Sequence, residues 1–204
     1  AAWAEVGREI AALRGDPAGE PVFAVDYGRY LPMARAELHP FHSGTDEDLI
    51  PAVRLIGHFK AADELKFLHR LAYDRSSNVR HEVAWALSRI HDRESLPVLA
   101  SMMAAPANLE AAGAQLVRWG DEATPFIVEL IAKSTDPKLE HWEHTVGEDM
   151  IRAYLGHWEK IERIDPSVEA AVRTALEKAD PLNAVIRTTY HKEFLGLMKK
   201  RSDQ

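Results

Sequence analysis

The sequence predicts an all-α fold, a right-handed α-solenoid built of stacked antiparallel helical hairpins. The first reason is a helix–turn–helix pattern near the middle of the chain. Apolar residues spaced by four, four and three positions mark its first helix: Val79, Val83, Leu87 and Ile90. After a break at residues 92–95, a second apolar stripe follows: Leu96, Leu99 and Met103. Each helix has one apolar face, so the hairpin needs neighbouring elements to cover it.

The second reason is that the first-helix pattern recurs along the chain. Each occurrence has an apolar residue, another four positions later and a third after three more. The four sets are Ala52-Ile56-Phe59, Val83-Leu87-Ile90, Ala112-Leu116-Trp119 and Ile151-Leu155-Trp158, with central residues 31, 29 and 39 positions apart. A helical unit that recurs at such intervals is typical of stacked repeats, and we expect the four sets to form one continuous core.

The third reason is the chemistry at the predicted starts of the second helices. These helices are expected at residues 65–73, 96–104, 125–133 and 166–178. Thr124 and Asp165 stand directly before a proline, and Ser95 stands two positions before one. A capping side chain followed by a first-turn proline favours the beginning of a helix, so we predict that these three residues are N-caps.

We therefore predict one α-solenoid domain over residues 1–204. Its parts are a divergent N-terminal cap at 1–45, three repeats at 46–133, an acidic insertion at 134–149, and a degenerate repeat with a C-terminal capping helix at 150–204. The terminal segments depart from the repeat, as capping elements of repeat proteins do.

Composition limits the classes of partner and compartment. The net charge is −7, which disfavours binding to nucleic acid because phosphate backbones need a basic surface. The chain has no cysteine, which excludes disulfides and is compatible with a cytoplasmic protein. No apolar run is long enough to span a membrane, and no signal peptide is evident, although the missing initial methionine leaves a removed leader open.

The central hairpin resembles a known repeat family. The matching residues are Asp74, Val79-Arg80, Val83-Ala84, Ala86-Leu87, Ile90, Asp92, Leu96-Pro97 and Leu99. This pattern is similar to the HEAT-like repeat of the phycobilisome-lyase type, and the resemblance covers roughly half of the chain. It implies an armadillo-type superhelix. It also implies a range of functions: protein-binding scaffolds, chromophore-lyase subunits, DNA-alkylation glycosylases and an iron-dependent hydroxylase that uses His-Glu pairs.

His81-Glu82 is the residue pair that resembles a dyad of that hydroxylase family, the deoxyhypusine hydroxylases. Such an enzyme needs several dyads around two irons, because one His and one Glu supply too few ligands. The equivalent positions hold Ile50-Pro51 in the preceding repeat and Glu110-Ala111 in the following one. We therefore interpret His81 and Glu82 as part of a solvated helix surface.

Trp85 is the main candidate for a partner-binding anchor. It lies off the apolar stripe, with His81 and Arg89 one turn away on either side and Glu82 three residues before it. A tryptophan surrounded by charged residues on an outward face is typical of a protein-binding site. The alternative is that the N-terminal segment or the insertion covers it, and the sequence leaves both open.

The second helices are expected to line the concave face, the usual binding surface of a solenoid. We predict that His69, Arg70, Ser101 and Glu129 lie on it. The neighbouring apolar residues should be buried between repeats: Phe67, Leu68, Leu71, Val98, Leu99, Met102, Met103, Phe126, Ile127, Leu130 and Ile131. The pattern shows no nucleophile–base pair and no phosphate-binding glycine loop.

A second histidine pair lies in the predicted insertion. His141 and His144 are three positions apart, and Glu148 follows four positions after His144. On a helix this spacing could ligate zinc, but a site needs a further strong ligand. We predict no metal, no other cofactor and no catalytic residue.

The function that these observations favour is a non-enzymatic scaffold or adaptor that binds a protein partner and regulates or neutralises it. The alternative is an enzyme of the repeat family, either a metal-dependent His-Glu hydroxylase or a HEAT-type DNA glycosylase. The single dyad disfavours the hydroxylase, and the acidic charge disfavours the glycosylase.

Overall fold

Helical hairpins follow one another in the computed structural model, which describes residues 46–104, 109–136, 138–157 and 165–178 with Glu193 and Gly196. The helices are α1 (Asp46–His58), α2 (Leu65–Leu71), α3 (Ser77–Ile90), α4 (Leu96–Met102), α5 (Leu109–Trp119), α6 (Thr124–Lys133), α7 (His141–Gly156) and α8 (Pro166–Lys178). Every regular element in these ranges is helical, which confirms the predicted all-α fold. The predicted N-terminal cap, Trp158 and, except for Glu193 and Gly196, the C-terminal capping helix lie outside the described residues.

A short 3₁₀ turn precedes three of the second helices. These turns are Ala62–Glu64, Arg93–Ser95 and Asp121–Ala123. The backbone N–H of Leu96 donates to the Arg93 carbonyl, and that of Thr124 donates to the Asp121 carbonyl. The turn therefore satisfies the first N–H groups of the helix, which a side-chain cap would otherwise do.

Because of these 3₁₀ turns, two of the three residues predicted as N-caps occupy other positions. Thr124 is the first residue of α6, and its N-cap Ala123 makes no side-chain capping bond, so that prediction is wrong. Ser95 is buried inside its turn, whose cap is Asp92, with the carboxylate 2.9 Å from the backbone nitrogen of Glu94. Asp165 is a cap as predicted, since its carboxylate accepts a 2.8 Å hydrogen bond from the backbone nitrogen of Ser167.

The start of α3 is fixed by side chains of the preceding loop. Ser76 is its N-cap and accepts from the backbone nitrogen of Val79 at 3.4 Å. The Asp74 carboxylate accepts from the backbone nitrogen of Ser76 at 2.8 Å. The Arg80 guanidinium donates to the Asp74 carbonyl at 2.6 Å, so the loop is tied to the first turn of the helix.

The chain divides into two compact units, and the boundary lies after Val98. In the first unit, α1 packs along α3, and α2 packs against α3. Gly57 of α1 faces Ala86 of α3, and a Cβ on Gly57 would lie 2.7 Å from the Ala86 Cα. The lack of a side chain at this position therefore lets the two helices approach closely.

In the second unit, α5 and α6 pack against α7, and α8 packs against α6. The close approach of first helices recurs here, because a Cβ on Gly113 of α5 would lie 2.8 Å from the Cβ of Ala153 in α7. In each unit, neighbouring first helices thus meet through a glycine and an alanine. Contact at such small residues brings helix axes close together.

The first two residues of each predicted core set are buried: Ala52, Ile56, Val83, Leu87, Ala112, Leu116, Ile151 and Leu155. The third residues differ. Trp119 is buried, Ile90 is half-buried at the last position of α3, and Phe59 is 37% exposed. The prediction for Phe59 is wrong because α1 ends at His58, so the helical spacing no longer directs the Phe59 side chain toward the core.

The predicted insertion at 134–149 also needs correction. Residues 141–149 form the first turns of α7, whose Val146 and Met150 are buried. Glu140 and Glu143 make a capping box at its start. The acidic and histidine-rich composition suggests an insertion, but this segment is the start of a helix of the fourth hairpin. Only the short connection before Glu140 lies between hairpins.

Candidate protein-binding surface

Glu82 is a buried residue, and this corrects its assignment to a partner-binding surface. Its carboxylate Oε1 accepts a 2.8 Å hydrogen bond from Nη2 of Arg54, which joins α3 to α1. The side chains retain 6% exposure for Glu82 and 19% for Arg54. Glu82 shares a helix face with Val79, three positions earlier, and with Ala86, four positions later, and both are buried. That sharing of a face is the signal that sequence reasoning overlooked.

The His81-Glu82 pair is consequently divided between two environments. His81 is exposed on α3, whereas Glu82 points into the contact between α1 and α3. Adjacent positions on a helix are rotated by roughly 100°. The two side chains are therefore not directed at one metal ion, and Glu82 is engaged by Arg54.

Trp85 does not stand free on an outward face. It is half-buried, and its ring atom Cζ3 lies 2.8 Å from the position that a Cβ on Gly57 would take. The Trp85 ring therefore fills the space over this glycine between α3 and α1. Arg89, one turn later, is half-buried, and its Nε is buried without a hydrogen-bond partner among the described residues. The geometry gives Trp85 a role in helix packing.

This packing role predicts that Trp85→Ala destabilises the fold. We expect a loss of about 1–3 kcal/mol, below that of a fully buried tryptophan because the residue is half-buried. The measurement is a thermal melt of the full chain, with His81→Ala as the control, since His81 is exposed one turn away on the same helix. Equal melting temperatures for the two variants would contradict a packing role for Trp85.

The outward face of α2 carries exposed cations and partly exposed apolar groups. Lys66 and Arg70 are exposed, and Phe67 and Leu71 are half-buried. The Arg70 Cζ lies 4.7 Å from the centroid of the Phe67 ring, a cation–π contact between residues three positions apart. The apolar spacing predicts burial of Phe67, whereas the three-residue separation from Arg70 permits the contact that the structure shows.

The second-helix apolar residues consequently divide into two groups. The buried group, which agrees with the prediction, consists of Leu68, Leu99, Met102, Met103, Ile127, Leu130 and Ile131. The half-buried group, for which the prediction of burial is wrong, consists of Phe67, Leu71, Val98 and Phe126. The spacing of these apolar residues predicts burial for both groups. The position of the neighbouring helix decides which group is covered.

His69 lies beside the hydroxyl of Ser95, a contact that the sequence did not suggest. Its Nε2 lies 3.2 Å from the hydroxyl oxygen of Ser95. Burial lowers the pKa of His69, and the nearby carboxylates of Glu94 and Asp92 act in the opposite direction. Ser95 has no exposed surface, so a substrate cannot reach its hydroxyl. The pair therefore connects α2 to the 93–95 turn.

The other predicted surface residues lie in the second unit. Ser101 near the end of α4 and Glu129 in the middle of α6 are both exposed. Phe126, one turn before Glu129, is half-buried. Glu129 and Phe126 therefore give α6 an outward face on which an apolar and an acidic side chain adjoin.

Comparison with known families identifies the repeat. A family model described as HEAT repeats matches residues 43–117, which include α1 to α4 and most of α5. Over these residues the chain is similar to HEAT repeats. The prediction of a HEAT-like family is thereby confirmed, and the chain is of the α-solenoid class. The narrower phycobilisome-lyase type stays a prediction. No curated protein and no solved structure matches the chain significantly.

Beyond the matched residues, His144 of the second histidine pair makes a contact within the structure. Nε2 of His144 lies 2.7 Å from the carbonyl oxygen of Asp136, so this ring ties α7 to the loop before it. The side chain of His141 lies outside the described residues. Within the part of the chain that is described, no three histidine or carboxylate side chains are grouped as a metal site requires. None of the described helices combines the length and hydrophobicity of a membrane span.

Proposed function

We propose that the chain is a non-enzymatic HEAT-repeat scaffold that binds a protein partner through the outward face of α2. The observation that carries this proposal is the grouping of Phe67 and Leu71, both half-buried, with the exposed Lys66 and Arg70. A stable protein interface combines a buried apolar centre with a polar rim, and arginine and aromatic residues are enriched among those that dominate binding energy.

The chemistry of the remaining candidates supports a binding role over an enzymatic one. Glu82, the carboxylate of the hydroxylase-like dyad, is paired with Arg54 in the contact between α1 and α3. The Ser95 hydroxyl beside His69 is enclosed. The net charge of −7 supports a protein partner over the phosphate backbone that a glycosylase binds. By covering part of the partner's surface, the chain would regulate or neutralise that partner.

The test is affinity capture by the tagged full chain from an extract of its native host. Three forms are compared: the natural chain, a Phe67→Ala/Arg70→Ala variant, and an Arg173→Ala control whose substitution lies on the exposed surface of α8. We expect at least one protein to be retained by the natural chain and the control and to be reduced by about tenfold or more with the α2 variant.

Stability must be compared in the same experiment, because loss of folding would also abolish capture. Denaturant unfolding should show that each form is folded under the capture conditions, with a larger loss of stability for the α2 variant than for the control because Phe67 is half-buried. Capture of the same proteins in equal amounts by all three folded forms would contradict binding through α2. Absence of any protein retained by the natural chain would contradict the scaffold function itself.

A further inference from the structure

The two exposed cations of α2 have no carboxylate partner among the described residues. Lys66 and Arg70 are separated by one helical turn, so they lie on one stripe of the helix. The ion pairs in the described part of the chain involve neither residue. Arg70 instead rests on the Phe67 ring, with 4.7 Å between its Cζ and the ring centroid.

Two exposed arginines of the second unit show the contrasting arrangement. Arg152 pairs with Asp149, three positions before it, at 3.1 Å. Arg173 pairs with Glu169, four positions before it, at 2.8 Å. A carboxylate one turn earlier is the usual way in which a helix satisfies an exposed cation.

Arg70 lacks such a local partner because Phe67 and Lys66 occupy the positions three and four before it. Asp74 is four positions after it, beyond the end of α2, and its carboxylate accepts a hydrogen bond from the backbone nitrogen of Ser76 at 2.8 Å. Lys66 does have a carboxylate three positions before it, that of Asp63 in the turn before α2, but no ion pair joins the two. The stripe therefore has two positive charges that no ion pair among the described residues neutralises.

We infer that this stripe of α2, formed by Lys66, Phe67, Arg70 and Leu71, recognises an acidic segment of a protein that also carries apolar side chains. The inference rests on the proposed scaffold function and names the chemistry of its partner. The Phe67 ring restrains the Arg70 guanidinium, whose N–H groups bind a carboxylate in a bidentate manner. Lys66 offers a second cation one turn away, and the partly exposed faces of Phe67 and Leu71 accept the apolar side chains of the segment.

An acidic protein segment fits this stripe better than a nucleic acid does. A nucleic acid presents a phosphate at every nucleotide and requires an extended basic surface. Here the carboxylates of Asp92 and Glu94 are close enough to His69 of α2 to act on its pKa, and the chain as a whole has a net charge of −7. A short acidic segment needs only the two cations of the stripe, whereas a nucleic acid needs an extended basic surface.

The test is selection from a displayed library of random short peptides on the immobilised full chain. We expect the selected peptides to be enriched in Asp and Glu next to apolar residues. Their affinity should fall by about tenfold or more for Lys66→Glu/Arg70→Glu and should also fall with rising salt concentration. Arg173→Glu on α8 is the matched control, since it reverses an exposed arginine outside the stripe, and it should leave the affinity unchanged.

Several results would overturn this inference. The selection could yield only neutral or basic peptides, or no peptide at all. The α2 variant and the Arg173→Glu control could lose affinity equally. A single-stranded oligonucleotide could bind more tightly than the peptides. The scaffold function is tested separately with the partner captured from the host extract. If that partner still binds Lys66→Glu/Arg70→Glu but not Phe67→Ala/Arg70→Ala, the acidic chemistry is refuted and the scaffold function stands.

Discussion

Replacing Arg54 by methionine is expected to lower the free energy of unfolding by about 3–5 kcal/mol. Methionine retains an unbranched apolar stem but removes the guanidinium whose Nη2 lies 2.8 Å from the Glu82 carboxylate. That carboxylate is only 6% exposed, so without Arg54 its charge loses a charged partner that offsets part of the cost of burial. Denaturant unfolding of the full chain measures the loss.

Two further variants separate the buried pair from a general effect of losing an arginine. Arg118→Met changes an exposed arginine of α5 and should alter stability by no more than about 0.5 kcal/mol. The double variant Arg54→Met/Glu82→Leu should recover most of the stability, because apolar residues often replace a buried ion pair at little cost. A loss for Arg54→Met no greater than that for Arg118→Met would refute the structural importance of the pair.

Leu87→Ala is expected to destabilise the chain by about 2–5 kcal/mol. Leu87 is the central residue of its core set and has no exposed surface, so alanine would leave a cavity in the interior of the helix packing. The measurement is again denaturant unfolding, with an unchanged dependence on denaturant concentration as evidence that the folded state keeps its compactness.

Ile90→Ala on the same helix is the matched control for Leu87→Ala. Ile90 belongs to the same apolar stripe but is half-buried at the end of α3, so its truncation should cost clearly less. A loss under about 1 kcal/mol for Leu87→Ala, or a larger loss for Ile90→Ala, would contradict the placement of this stripe.

The hairpin order was predictable because apolar spacing determines which helix face is buried. Leu87 and Leu116 illustrate this, since each is the centre of a core set and has no exposed surface. The extent of α7 was not predictable by the same means, because polar residues dominate its first turns and obscure the helical phase. The 3₁₀ turns likewise escaped prediction, since their stabilising contacts are between backbone groups and leave little trace in side-chain spacing.

The candidate site was predictable only in part, because it depends on contacts between distant residues. Arg54 and Glu82 are 28 positions apart, and a glutamate read in isolation is assigned to the surface. Trp85 likewise meets Gly57, and the missing side chain of a glycine gives no apolar signal to match with the ring. Arg70 was recognised as a surface residue, whereas the partial exposure of Phe67 depends on where the adjacent helices lie.

The most direct test of protein binding through α2 is site-specific photocrosslinking in the native host. A photoreactive amino acid replaces Leu71, which is half-buried at the end of α2, or Ala170, which is exposed on α8 and serves as the control. We expect Leu71 to give a discrete crosslinked product that contains the chain and a second protein, and Ala170 not to give it. The same products from both positions, or none from Leu71 in a variant that folds normally, would contradict binding through this surface.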